Sequence, residues 1–176
     1  MTSAESAALL DQAVARHQAQ DLAGAAALYR RVLDVDPANL AARVNLGIMD
    51  LGRGHAAAAA AAADAALGYD DTHARAWNLK GLALTLGGDP RAALACYERA
   101  LVCDPPSTEA PANRAAALLD LDDALGAAEA CRAVLRTRDD AACQCILGLA
   151  LFKLDRPEDA IVAFNAALRL APGMAE

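Results

Sequence analysis

The feature that most constrains the fold is a period of about 34 residues that runs through the 176-residue chain. A small residue recurs at Ala25, Ala59, Ala93, Ala127 and Ala160. A second series, with a larger residue in most copies, comprises Tyr29, Ala63, Tyr97, Cys131 and Phe164. A third comprises Gly47, Gly81, Ala115 and Gly148. Each series advances by 34 residues and then once by 33, so we infer one structural unit repeated along the chain.

Local signals predict that each unit consists of two short helices. Asp89 and Pro90 predict a helix start, because aspartate caps helices and proline suits the first turn. Gly87 and Gly88 end the preceding helix. Arg156-Pro157-Glu158 predicts another start, with Arg156 as the cap and Pro157 in the first turn. The chain has 49 alanines and only 3% aromatic residues, which favours helices packed closely through small side chains. Thr2 and Glu5 fit a capping box, so we expect a helix almost at once.

The third unit carries a recognisable motif, which reads Trp77…Gly81…Leu84…Ala93…Tyr97…Ala100…Pro105. This pattern resembles the tetratricopeptide repeat. The resemblance covers nearly the whole chain, although Asp71 and Asp139 stand where the family has proline. It implies an all-α fold, a right-handed α-solenoid of antiparallel helix pairs that forms a superhelix. We predict a single array over residues 1–176, with five repeats at about 6–39, 40–73, 74–107, 108–140 and 141–174.

Ala63 departs from the second series, where the other repeats have a larger side chain. Either the helices pack more closely around Ala63, or a soft spot or small pocket lies there. The sequence leaves both alternatives open.

The last predicted helix, about residues 158–170, carries an apolar face formed by Ile161, Phe164 and Leu168. A further helix would normally cover part of such a face, because repeat arrays need polar ends. We therefore expect either that the chain is the N-terminal part of a longer protein or that this face associates. The partner would be a second copy, giving a homodimer, or an intramolecular segment.

The charge of −7 argues against a general nucleic-acid binder. The longest uncharged stretch, residues 141–152, is too short to span a membrane, so no membrane insertion is expected. The N-terminus does not resemble a secretory signal, and the odd number of cysteines, five, suggests reduced thiols and a cytoplasmic location. The excess of arginine and alanine is associated with bacterial proteins.

No motif predicts catalysis, a cofactor or a metal site. His17, His55 and His73 lack metal-binding spacing, and we expect them to be solvated at the surface. Cys143 and Cys145 are two residues apart and would point in different directions on a helix. The paired aspartates at 122–123 and 139–140 are explained by helix capping. We therefore predict that the protein is not an enzyme, unless it is part of a larger one.

The resemblance implies that the first helix of each repeat lines a concave groove that binds a peptide or another protein. The groove candidates are Leu10, Val14, Val44, Asn45, Ile48, Arg75, Asn78, Leu82, Asn113, Ile146 and Leu149. Asn45 and Asn113 match a ladder of asparagines that some members use to bind peptide backbones, or they make local contacts only. Leu10 and Val14 stand at positions of a carboxylate clamp and cannot donate hydrogen bonds, so that clamp is absent.

These features predict a non-catalytic scaffold that binds a peptide or protein segment in the groove. One alternative is the N-terminal recognition region of a larger bacterial glycosyl-, sulfo- or methyltransferase. Another is a small secretion chaperone, although five repeats fit that class less well.

Overall fold

The computed structural model describes residues 3–105 and 109–175, and over these residues the protein contains helices and no strand. The helices are α1 Ser3–Gln18, α2 Leu22–Val35, α3 Leu40–Gly52, α4 Ala56–Leu67, α5 Ala74–Leu86, α6 Pro90–Cys103, α7 Ala110–Asp120, α8 Ala124–Leu135, α9 Ala141–Lys153 and α10 Pro157–Leu170. A short 3-10 helix covers Pro172–Ala175. Thr2 lies outside the described residues, and α1 begins at Ser3. The predicted all-α fold of helix pairs is confirmed, while the number of repeats stays a prediction.

None of the helices in these two described ranges has both the length and the apolar character that a membrane span requires.

Capping side chains start many of the helices. In six cases the residue before the helix accepts a hydrogen bond from the backbone N–H three residues later, at 2.8–3.2 Å. The six are Asp21, Asn39, His73, Asp89, Asp123 and Asp140. Each bond satisfies one of the free N–H groups of the first helical turn. The predicted caps at Asp89, Asp123 and Asp140 are therefore confirmed.

The start of α10 differs from the prediction. The helix begins at Pro157, as expected, but the Arg156 side chain makes no capping hydrogen bond. Arginine has only donors, so it cannot accept a bond from a backbone N–H. Its Nε instead donates to Asp159 Oδ2 at 2.8 Å. The carboxylates of Glu158 and Asp159 lie in the first turn, where negative charge stabilises a helix N-terminus.

The turn inside each helix pair contains one residue with a left-handed backbone. These residues are Gln20 (φ 62°), Gly54 (φ 79°), Gly88 (φ 83°), Asp122 (φ 64°) and Asp155 (φ 57°). They follow the same spacing as the three sequence series, 34 residues and then once 33. The same turn geometry is therefore built from glycine in two copies and from polar residues in three.

The described chain divides into two compact units, Met1–Gly87 and Gly88–Glu176. In unit 1, each of the helices α1 to α4 packs against the next, and α3 also packs against α5. Its core consists of two clusters. One includes Leu9, Ala13, Tyr29 and Val32, and the other includes Val44, Ala59, Ala63, Ala66 and Leu79.

Unit 2 is built from α6 to α10, and each of the helices α6 to α9 packs against the next. In addition, α7 contacts α9, and α10 contacts the 3-10 helix. A core cluster of unit 2 includes Ala115, Leu118, Ala127, Cys131 and Leu147. The predicted core position of Cys131 is confirmed, since its side chain has no exposed surface.

Small residues allow neighbouring helices to approach closely. All five alanines of the first series are buried. A Cβ added to Gly47 would lie 2.5 Å from Leu79 Cδ2 and 3.0 Å from Ala62 Cβ, so the Leu79 side chain would have to shift to admit it. Ala63 follows Ala62 and is itself fully buried, which favours the closer-packing alternative at this position.

We predict that Gly54→Ala lowers the free energy of unfolding by about 1 kcal/mol, because alanine is strained at a positive φ. Gly52→Ala is the matched control. An added Cβ meets no atom within 4 Å at either position, but only Gly54 has a positive φ. Alanine at the last residue of α3 should leave stability unchanged or raise it slightly. Urea unfolding of both variants measures the difference, and equal stabilities would contradict the role of the turn.

Candidate functional site

Side chains from α1, α3 and α5, the first helices of the first three predicted repeats, meet at a pocket in unit 1. We call it the unit-1 pocket; its volume is about 410 Å³. It is lined by Val14, His17, Gln18, Gln20, Tyr29, Asn45 and Arg75. Three of the predicted groove residues, Val14, Asn45 and Arg75, therefore come together, one from each of the three helices.

The polar atoms of the pocket are partly connected to one another. The Arg75 guanidinium donates from Nη2 to Asn45 Oδ1 at 3.3 Å. The imidazole of His17 meets the Tyr29 ring edge-on, with 6.2 Å between the ring centroids. Arg75 is exposed, Asn45 and His17 are partly buried, and Tyr29 is fully buried. The pocket thus combines an accessible positive charge with an amide and a deeply placed phenol.

The Tyr29 hydroxyl is the unusual group in this pocket. Its oxygen is buried and has no hydrogen-bond partner of normal geometry among the described residues. Burial raises the pKa of the hydroxyl, and the nearby Asn45 side chain and Arg75 charge offset part of that increase. The group is therefore a neutral donor at physiological pH. Buried polar groups are nearly always paired, so an unpaired one that lines a pocket is suited to a ligand.

The chemistry that the pocket offers is hydrogen-bond donation. Arg75, the Asn45 amide and the Tyr29 hydroxyl can all donate, and Arg75 adds a positive charge. Val14 supplies apolar surface beside them. Such an arrangement suits a ligand with carbonyl or carboxylate oxygens next to an aliphatic group. Within the described part of the chain, no group of three or more His, Cys, Asp or Glu side chains is placed to hold a metal ion.

Two predicted groove residues are not at the surface. Val44 lies in the core of unit 1 with no exposed surface, and Asn78 is only 6% exposed. Successive residues on a helix point about 100° apart, so Val44 faces the core while its neighbour Asn45 reaches the pocket. The prediction that Val44 and Asn78 are available to a ligand is wrong for this structure.

The remaining groove candidates lie outside the pocket. In unit 1, Leu10, Ile48 and Leu82 are partly buried. In unit 2, Asn113 and Ile146 are partly buried, and Leu149 is exposed. Their assignment to a groove stays a prediction.

The sequence did not identify four of the residues that line the pocket, namely His17, Gln18, Gln20 and Tyr29. From the sequence we predict only a packing role for Tyr29, because it belongs to a series of side chains expected to be buried. Its hydroxyl was a usable signal, since a buried tyrosine needs a polar partner where a phenylalanine would not. His17 was expected at the surface only, and Gln20 lies in the turn between α1 and α2.

A second surface of interest lies on α10, where an associating face was predicted. Ile161 is 59% exposed and Leu168 is 39% exposed. Phe164 is partly buried, because its ring packs against Gly148. The residues 33 positions earlier are Ala128, Cys131 and Leu135, of which the first two are fully buried and the third is partly buried. The α10 face is thus more open than its counterpart on α8.

Residues 44–108 and 141–174 match family models that are both described as tetratricopeptide repeat, and together they cover more than half of the chain. No curated protein matched. Solved structures are similar, among them MamA, with a TM-score of 0.73, 21% identity and coverage of 93% of this chain and 90% of that one. TTC0263, a thermophilic TPR protein of Thermus thermophilus, has a TM-score of 0.81 and 17% identity over 95% and 92% of the two chains. YrrB, described as a TPR protein with an unusual peptide-binding site, has a TM-score of 0.68 and 19% identity over 93% and 85%.

At these identities the likeness to solved structures shows the fold alone. It agrees with the order of helices in the described residues, and the predicted all-α solenoid of helix pairs is confirmed.

We predict that Tyr29→Phe leaves the free energy of unfolding unchanged or raises it by up to about 1 kcal/mol, because the lost hydroxyl is buried without a partner. Tyr97→Phe, at the equivalent buried position of unit 2, is the comparison variant. Thermal and urea unfolding measure both. A loss of more than about 1 kcal/mol in Tyr29→Phe would mean that the hydroxyl is stabilised within the protein.

Proposed function

Because the chain belongs to the tetratricopeptide-repeat family, we propose that it is a protein-interaction scaffold whose unit 1 binds a peptide segment of a partner protein. The observation that carries this proposal is the unit-1 pocket, where Val14, Asn45 and Arg75 meet beside the unpaired Tyr29 hydroxyl. The role is non-catalytic, and we expect it to be carried out in the cytoplasm.

The polar groups of the pocket match the needs of an extended peptide. A peptide backbone offers one carbonyl acceptor per residue, and the Asn45 amide can both donate to and accept from it. Arg75 can bind a carbonyl or an acidic side chain, with a stronger bond to the acidic one. The Tyr29 hydroxyl has no hydrogen bond of normal geometry to a described residue, so it is available to donate to an acceptor that enters the pocket. The described peptide-binding site of YrrB, which shares the fold, is consistent with this use of the surface.

The aliphatic side chains of the same surface supply contacts for apolar ligand residues. Leu10 and Val14 lie on α1, and Ile48 lies on α3. All three retain some exposed surface, so a ligand can reach them without unfolding the helices. We propose that Leu82 extends this surface on α5, and that Asn113, Ile146 and Leu149 play a similar part in unit 2.

Selection from a displayed library of random 12-residue peptides on the immobilised chain tests this proposal. We expect enriched peptides that bind Arg75→Glu about tenfold more weakly than the wild type, because hydrogen bonds to charged groups contribute about 1.5–3 kcal/mol. Tyr29→Phe and Asn45→Ala should weaken binding by smaller factors. Fluorescence anisotropy with the labelled peptides measures each affinity.

The matched control is Arg30→Glu, which makes the same charge change at an exposed position on α2 outside the pocket. Its affinity should stay close to that of the wild type. Equal binding by Arg75→Glu and Arg30→Glu would place the peptide elsewhere. A library that yields no enriched peptide would speak against peptide binding itself.

A second candidate function is self-association through α10, with another copy of the chain as the partner. The observation that favours it is the contrast between the exposed Ile161 and its buried counterpart Ala128. Leu168 continues the exposed face two turns along the helix, and contiguous apolar surface of this kind marks association sites. The intramolecular alternative would cover the same face from within the chain.

We predict that sedimentation velocity at micromolar concentrations detects dimers of the wild type and that Ile161→Lys shifts them to monomer, because a buried lysine lacks a partner in such an interface. The control is Leu125→Lys on α8, where the native side chain is 57% exposed, close to the 59% of Ile161. Leu125→Lys should behave like the wild type. A monomeric wild type would exclude self-association in this concentration range.

A further inference from the structure

A second cavity, of about 390 Å³, lies in unit 2 between α8, α9 and α10. We call it the unit-2 groove, and it includes none of the predicted groove residues or the predicted associating residues. Its floor is apolar and consists of Leu147, Leu151 and Ala163, all buried. Val162 stands at its edge and is 66% exposed.

Val162 differs in residue type from the residues at the same position of the preceding repeats. The residues at the same position in the preceding units are Ala27, Ala61, Ala95 and Glu129, all of them exposed. Four units therefore place a small or charged side chain at the surface here, whereas the fifth places a branched aliphatic one. A large apolar side chain exposed beside an apolar floor is typical of a binding surface.

Three arginines border this apolar floor. Arg132 comes from α8, Arg169 from α10, and Arg156 from the turn before α10. Among the residues that the structure describes, the lone carboxylate on the groove is Asp159, which pairs with Arg156 at 2.5 Å. Neither Arg132 nor Arg169 has a carboxylate partner within the described chain. The charges on the groove sum to +2, from three arginines and one aspartate, in a protein of net charge −7.

The shape of the groove indicates what kind of ligand fits. Gln144, Leu147 and Leu151 line it from α9 at spacings of three and four residues, so they form one stripe along that helix. The stripe spans seven steps of about 1.5 Å, or about 10 Å, which is the length of two helical turns. A helix lying along the groove would place apolar side chains on this floor at the same spacing.

We propose that the unit-2 groove binds an acidic amphipathic helix of a partner protein. Its apolar side chains would contact Leu147, Leu151 and Val162. Its flanking carboxylates would pair with Arg132 and Arg169. This site is separate from the unit-1 pocket and adds a second kind of ligand to the proposed scaffold.

The charge and the floor together favour a peptide over other anionic partners. A nucleic acid would need basic residues along its backbone and aromatic side chains for its bases, and none of the groove residues is aromatic. Buried leucines give a phosphate backbone nothing to bind. An acidic helix satisfies both halves of the groove at once, since its carboxylates meet the arginines while its apolar face meets the leucines.

A designed probe tests the site on the full chain. The probe is a fluorescein-labelled 14-residue peptide with leucine on one helical face and glutamate on the other. We expect saturable binding by fluorescence anisotropy that weakens as salt is raised, because exposed ion pairs are screened. The same peptide with lysine in place of glutamate, the same peptide with serine in place of leucine, and a 14-residue oligothymidylate should all bind weakly.

Two variants assign the binding to the groove. Arg132→Glu combined with Arg169→Glu should weaken the probe about tenfold, since both charge pairs become repulsive. Val162→Ser should weaken it by a smaller factor and leave the salt dependence unchanged. Neither change touches the buried floor, and thermal unfolding checks that the fold is intact. The matched control, Arg30→Glu combined with Arg91→Glu, alters two exposed arginines elsewhere by the same charge.

Several outcomes would overturn the proposal. One is equal binding of the probe by the groove variant and the matched control. Another is equal binding of the lysine peptide or of the oligothymidylate, which would show charge attraction or nucleic-acid binding without recognition of a helix. A third is loss of the probe in Arg75→Glu instead, which would move the ligand to the unit-1 pocket. Because the two sites are tested with different variants, failure here leaves peptide binding at the unit-1 pocket unaffected.

Discussion

The close contact between helices at small side chains is the constraint on which the rest of this structure depends. None of the short helices could be stable alone, so each must bury one face against its neighbours. The alanines of the first series and Gly47 allow neighbouring helices to come near enough for that, and Gly148 leaves room for the Phe164 ring. Larger residues such as Tyr29 and Tyr97 then fill the space beside each contact. The alanine content of the chain is the compositional result of this packing.

The turns are held to the same geometry with different residues. Each described helix pair has one left-handed residue in its turn, and most second helices are capped by the aspartate that follows it. The steric requirement is for a positive φ, which glycine meets without strain and which aspartate tolerates. The left-handed turn residues do not share a residue type, because Gln20, Gly54 and Asp155 have no side-chain chemistry in common. Residue identity alone therefore does not reveal that they recur at the same position of each repeat.

The two candidate sites lie where the packed core meets polar or charged side-chain groups that the packing itself does not use. At the unit-1 pocket, Tyr29 fills the core as its series requires, yet its hydroxyl lies beside Asn45 without a hydrogen bond of normal geometry to any described residue. At the unit-2 groove, buried leucines are bordered by Arg132 and Arg169, which have no carboxylate among the described residues. In both places the packed core borders polar or charged groups that line a cavity. Such groups add little to folding and are available for binding.

The sequence by itself determined the period, the helix pairs, three of the six side-chain caps and the buried alanine series, because these features follow from residue types and their spacing along the chain. It placed Val14, Asn45 and Arg75 on one surface, but it also placed Val44 there, which the structure buries. Val44 and Asn45 are neighbours on α3, so their side chains point about 100° apart. That rotation decides whether a side chain faces the core or the pocket, and the sequence pattern does not distinguish the two. Only the tertiary structure decided which side chains stay accessible, because exposure depends on how closely helices separated by a whole repeat approach one another.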